Sequence, residues 1–189
     1  MAIKISQRAT LLGVAFLLSL SPLGAAQAGD WFQHRFGEAR AYFGDWLAVC
    51  ANKGQGDCRA VHLRAKEDAP GGGYRRISIA VPAPGDYRIT LTHRGMPTPP
   101  PEPIQLLVDG EEYRLEPGTY VPGEVDVPNL AETVTVTDAV VNGALVGALK
   151  PAGRLTLLYP AGGGNRQAEF SLRGLTATLN AIEARLNAR

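Results

Sequence analysis

Residues 43–64 read FGDWLAVCANKGQGDCRAVHLR, two extended apolar segments around one short polar loop. Trp46 and Val49 line the first segment and Ala60, Val61 and Leu63 the second, so the pattern predicts strands over 43–50 and 58–64. Between them, residues 51–57 are mostly polar and include Gly54 and Gly56, which lets the chain reverse. Cys50 and Cys58 are the only cysteines, and they bracket that reversal as a disulfide would. Closing so short a loop stabilises a fold by about 2.5 kcal/mol on the chain-entropy estimate. A redox pair or half of a zinc site would call for C-x-x-C spacing or neighbouring histidines, whereas His34, His62 and His93 are scattered.

Disulfides persist in oxidising compartments, and the beginning of the chain agrees with that setting. Lys4 and Arg8 precede an uncharged apolar run over 11–20; Ser21, Pro22 and Gly24 break it, and Ala26-Gln27-Ala28 offers a small-x-small cleavage site. A signal peptide over 1–28 is expected, with cleavage after Ala28 and a periplasmic or secreted chain starting at Gly29. The run is about half of the roughly 20 residues a spanning helix needs, so no integral membrane segment is expected after cleavage. The 19 basic residues include Lys4 and Arg8, so the processed chain nearly balances its 18 acidic residues. That balance offers no electrostatic reason for nucleic acid or an anionic membrane as partner. Residues 29–189 suffice for a single β-rich domain and are too few for two ordinary ones.

On the N-terminal side of the hairpin, residues 31–46 carry Trp31, Phe32, Phe36, Tyr42, Phe43 and Trp46. The spacing from Trp31 to Tyr42 allows a short amphipathic helix, either a lid over one end of the core or an exposed aromatic surface for a partner. On the C-terminal side, after the glycine-rich turn at 70–73, Ile77, Ile79 and Val81 alternate with Arg76 and Ser78. Ile89 and Leu91 resume the period of two beyond the turn at 82–85, and both runs predict half-buried strands. Five prolines within 97–103 exclude helix and central strand and predict a stiff exposed connector. Strands over 104–108 and 113–115 flank the tight-turn pair Asp109-Gly110, and Asp109, Glu111 and Glu112 read as a solvated turn rather than calcium ligands.

Thr137 or Asp138 caps a predicted helix in which Val141, Leu145, Ala148 and Leu149 recur until Pro151. Segments 154–159 and 167–172 predict a last hairpin around Gly162-Gly163-Gly164, which lacks the Gly-Lys-Ser/Thr ending of a phosphate loop. Leu175, Leu179, Ile182 and Leu186 form the stripe of a C-terminal helix, with Arg185 and Arg189 near the negative end of its dipole. The expected fold is mainly β, a β-sandwich or partly closed barrel, with two packed α-helices, the second C-terminal.

A search for chemistry returns little. A serine nucleophile needs a base beside an exposed hydroxyl, yet Ser78 and Ser171 each sit between apolar residues of a predicted strand, without a Gly-x-Ser-x-Gly elbow. Asp45 is the only acid in an aromatic setting, and it is expected to satisfy backbone donors at the start of its strand. No catalytic, cofactor-binding or metal-binding residues are assigned, and the chain is expected not to be an enzyme.

Two segments carry a resemblance. Phe43-Gly44-Asp45-Trp46-Leu47-Ala48-Val49-Cys50 followed by Cys58-Arg59-Ala60-Val61 resembles the opening of the invasion-associated locus B family of exported bacterial proteins. The helix starting at Asp138-Ala139-Val140-Val141 and the segment Phe170-Ser171-Leu172-Arg173-Gly174-Leu175 resemble that family's ending, as they do that of a second family of periplasmic proteins. The likeness covers both ends of the processed chain and leaves roughly 65–130 unaligned. It implies a periplasmic or surface-associated sandwich-like protein without a known catalytic site, and it transfers only the cysteines and a structural Trp46. The expectation is an exported, non-catalytic envelope-accessory or binding protein whose partner is a protein or envelope component. A small periplasmic hydrolase acting on envelope glycans, or a periplasmic folding helper, is the alternative.

Overall fold

The computed structural model describes residues 29–62, 75–97, 102–123 and 132–189. The expected signal peptide, the strand positions Leu63 and Arg64, the glycine turn at 70–73 and the centre of the proline connector lie outside the described residues.

The described strands form two antiparallel sheets. The larger holds β1 (Phe32–Gln33), β2 (Ala39–Phe43), β3 (Trp46–Cys50), β4 (Cys58–His62), β5 (Arg75–Val81), β6 (Arg88–His93), β9 (Tyr120–Pro122) and β10 (Thr133–Val136), in the order β1-β2-β3-β4-β5-β6-β10-β9. The smaller holds β7 (Ile104–Val108), β8 (Glu111–Leu115), β11 (Arg154–Ala161) and β12 (Gly164–Ser171), in the order β12-β11-β7-β8. Neither sheet closes into a barrel, and helices α1 (Ala139–Leu149) and α2 (Leu175–Asn187) complete the mainly β fold.

Turn chemistry explains the hairpins. Asp109 and Gly110 have φ of +48° and +94°, the two positive values that a type I′ connection between β7 and β8 demands. Gly162 and Gly163, at +62° and +83°, do the same between β11 and β12, so those strands run on to Ala161 and from Gly164, longer than the apolar runs alone predict. Asp138 caps α1 as expected, its carboxylate accepting from the Val141 N–H at 2.9 Å.

Two expectations are overturned at the aromatic end. Residues 31–42 are not helical: β1 pairs with β2, because Ala39, Ala41 and Phe43 alternate with Arg40 and Tyr42 and Gly37 turns at φ +79°. Nor is 43–50 one strand. Phe43 pairs with Trp46 across Gly44 and Asp45, and Gly44, at φ +57°, supplies the first position of a two-residue turn.

One row of inward side chains shows how the interior is divided. Register places Ala41, Ala48, Ala60, Ile79 and Ile89 in line across β2 to β6, all essentially buried. Where the row is alanine, α2 lies directly on β2, β3 and β4 with Leu175, Leu179 and Ile182 buried. Further across, the smaller sheet supplies the second layer through Tyr159 against His93 and Phe170 against His62. The apolar side chains among these, with Tyr159 and Phe170, belong to one continuous buried cluster.

Candidate functional site

The two segments that carry the family resemblance meet in space. The β2–β3 turn delivers Asp45, and the connection from β12 to α2 delivers Ser171 and Arg173. Ser171 Oγ donates to Asp45 Oδ2 at 2.6 Å, while Arg173 spans the carboxylate with Nε to Oδ2 at 3.2 Å and Nη2 to Oδ1 at 2.6 Å. Backbone seals the same seam: Asp45 N–H donates to the Arg173 carbonyl at 2.9 Å and Trp46 Nε1 to the Ser171 carbonyl at 3.0 Å. Glycine is required on both sides. A Cβ at Gly174 would lie 2.0 Å from the Phe43 carbonyl oxygen, and one at Gly44 2.6 Å from that of Arg173.

Asp45 was expected to bind backbone donors; its side chain instead binds Arg173 and Ser171, because the turn points it across the seam rather than along its own strand. The hydrogen bonds from Arg173 and then from Ser171 hold its carboxyl below the usual carboxylate range. An acid held ionised by a bidentate guanidinium is a poor proton acceptor, and Ser171 has that carboxylate rather than an imidazole at its hydroxyl. The geometry is a charge-assisted clamp.

Cys50 and Cys58 form the expected disulfide, with an S–S distance of 2.06 Å, between paired positions of β3 and β4. Arg185 and Arg189, read from sequence as dipole partners, do more than that. Arg189 Nη2 donates to the carbonyls of Gly54 at 2.8 Å and Gly56 at 2.7 Å and lies 3.2 Å from Cys58 Sγ, while the Arg185 guanidinium stacks 4.6 Å from the Trp31 ring. The end of α2 thereby satisfies the carbonyls of the disulfide loop. Asp109 likewise does more than face solvent, since its carboxylate accepts from the N–H groups of Gly153 and Arg154, both at 2.9 Å, and ties the β7–β8 turn to the start of β11.

The aromatic segment divides. Phe43 and Trp46 are buried, Trp31 is partly buried under Arg185, and Phe32, Phe36 and Tyr42 are exposed. Phe32 stacks on Tyr42 with ring centroids 5.7 Å apart, on the outward side of the edge strand β1 and its neighbour. Phe36, 70% exposed in the β1–β2 turn, carries Arg35 over its face at 4.9 Å.

Two of the three scattered histidines, on β4 and β6, lie on the inward face of the larger sheet. His62 sits edge-on between Trp46 and Phe170, at 5.5 and 5.6 Å, and both its ring nitrogens are buried with no hydrogen-bond partner. His93 Nδ1 lies 2.7 Å from the Tyr159 hydroxyl. Burial first, and the charge of Arg75 besides, keeps both imidazoles below their ordinary proton affinity. A period of two puts such residues on one face, but nothing in the sequence says which partner strands flank them. Asn142 escaped sequence reading for the same reason. It is buried in α1 and stitches that helix to β6 and β10, accepting from Ile89 N–H at 2.9 Å and donating to the Val136 carbonyl at 2.9 Å.

No group of three or more His, Cys, Asp or Glu with metal-holding geometry occurs among the described residues. No family model matches the chain, and neither a curated protein nor a solved structure matches it.

Proposed function

We propose that this chain is an exported, non-catalytic envelope-accessory protein of the invasion-associated locus B kind, and that it binds a protein partner through its aromatic edge. The observation that carries the reading is the stacked pair Phe32–Tyr42 on the outer strands, flanked by exposed Phe36. Among the described residues β1 has a neighbour on one side only, so its other side offers backbone donors and acceptors to an extended segment of the partner, with the rings as ledges for that segment's apolar side chains. Asp45, the one acid that the sequence places in an aromatic setting, is taken up by Ser171 and Arg173, which favours a scaffold over a small glycan hydrolase. No helix among the described residues is long and apolar enough to cross a membrane.

The test is site-specific photocrosslinking in intact cells. A crosslinker at position 36 is expected to capture one defined envelope protein, and one at Val140, an exposed residue of α1, to leave that protein uncaptured. Phe32→Ser with Tyr42→Ser should abolish the capture while the thiols stay unreactive. Equal capture from both positions, or an uncleaved cytosolic chain with reactive thiols, overturns the proposal.

A further inference from the structure

Two arginines face the inter-sheet layer beside His93. Arg75 is the register partner of His93 in the β5–β6 pair, and Arg166 is the register partner of Tyr159 in the β11–β12 pair. The Tyr159–His93 hydrogen bond joins those two pairs, so the arginines approach the same imidazole from opposite sheets. A glycine makes room for one of them: Gly95, at φ +88° just past β6, would place a Cβ 3.0 Å from Arg166 Nη1. Among the described residues, the groups whose charge bears on His93 are Arg75, Arg166 and Glu132, and those on His62 are Asp45 and Arg75. Glu132 accepts from the Gly95 N–H at 2.9 Å, and Asp45 is taken up by Arg173. Among the described residues, the charges that bear on His93 are two guanidinium groups and one carboxylate.

The same layer holds polar atoms with nothing to bind. His62 is 6% exposed and both its ring nitrogens lack partners, and Arg75 Nε is buried without one. Buried polar atoms of this kind are rare, because each forfeits the hydrogen bonds it had in water. Arg Nε can only donate, and a neutral imidazole donates from one nitrogen and accepts at the other, so Arg75 Nε and one His62 nitrogen each call for an acceptor.

We propose that this end of the inter-sheet layer is a binding site for a single oxyanion group, a carboxylate or a phosphate monoanion. Arg75 and Arg166 hold the charge, Arg75 Nε and His62 donate to its oxygens, and the His93–Tyr159 pair forms the wall. The site is independent of the aromatic edge, which lies at the other end of the larger sheet. The oxyanion can belong to a free anion or to a lipid headgroup.

The processed protein, with its disulfide intact, is titrated with inorganic phosphate, with acetate, and with micelles carrying a phosphate-monoester lipid, each against sodium chloride of equal ionic strength. The ring resonances of His62 and His93 and the melting temperature are followed. An anion should shift both rings and raise the melting temperature where chloride does not. Arg75→Gln should weaken that response by about tenfold or more, as loss of a charged hydrogen bond implies. Arg166→Gln, at an exposed position, tests the same point should Arg75→Gln fail to fold. A response to phosphate or acetate alone identifies a free anion as the source, and a much tighter response to the micelles identifies a headgroup. A response equal to that of chloride, or one unchanged in the arginine variants, overturns the proposal.

Discussion

The two ends of the larger sheet look into the same interior but are roofed differently. Over β2 to β4 the inward row is Ala41, Ala48 and Ala60, and a helix comes down onto it; over β5 and β6 the row is Ile79 and Ile89, and a second sheet stands off. Side-chain height explains the difference. A helix brings bulky Leu175, Leu179 and Ile182 with it and needs a shallow floor, whereas two facing sheets about 10 Å apart must fill the gap from both sides. The helical end gains little from its own small side chains, and it is also where the disulfide, the Asp45–Arg173 clamp and the Arg189 contacts collect.

The largest effect is expected where large side chains pack between the layers. Phe170→Ala, at a site 1% exposed, should cost about 3–5 kcal/mol by chemical denaturation. At the helical end a covalent contribution adds to packing: replacing Cys50 and Cys58 together by alanine should cost about 2.5 kcal/mol, and a loss close to zero would mean that the loop is held by the arginines alone. Ala60→Leu should cost about 1–3 kcal/mol by lifting α2 off its floor, while Ile79→Leu, its neighbour in the same row, should cost less than about 1.5 kcal/mol. Equal costs would show that the division of the row is accidental. Asp45→Asn should cost about 1–2 kcal/mol in urea unfolding near neutral pH.

The smallest effect is in pH dependence, and it separates the two ends. His62 and His93 have folded proton affinities below their unfolded value of 6.5, so their contribution is intact above that pH and is lost as pH falls from it toward the folded values. Asp45, also lowered, contributes above its unfolded value of 3.8 and loses that contribution as pH falls further through its folded value. His62→Phe should flatten the upper window of a melting-temperature profile, and Asp45→Asn the lower one.

The hairpins, both helices and the disulfide were legible because each rests on local signals: period-two alternation around Ile77 and Leu91, the Asp109-Gly110 pair, the Asp138 cap and the leucine stripe of α2. The aromatic segment misled because Trp31, Phe32, Phe36 and Tyr42 fit a helical period, while the smaller Ala39 and Ala41 carried the actual strand period. β9 and β10 were missed: they are short, and the buried Thr133 and Thr135 read as polar although they pair with Thr92 and Thr90 across the strands. The candidate sites were the least legible. Asp45 and Arg173 are far apart in the chain, and only the close approach of Gly44 and Gly174 unites them.

That glycine-to-glycine contact has a consequence for how the molecule comes into being. An early hairpin and a much later helix complete one joint, so the alanine floor stays bare until the chain through α2 has emerged from whatever delivers it. Contacts of such long sequence separation form slowly. A product stalled or clipped ahead of Leu175 would therefore present an uncovered apolar surface and a disulfide loop without Arg189, marking it as unfinished to any protease that surveys nascent chains.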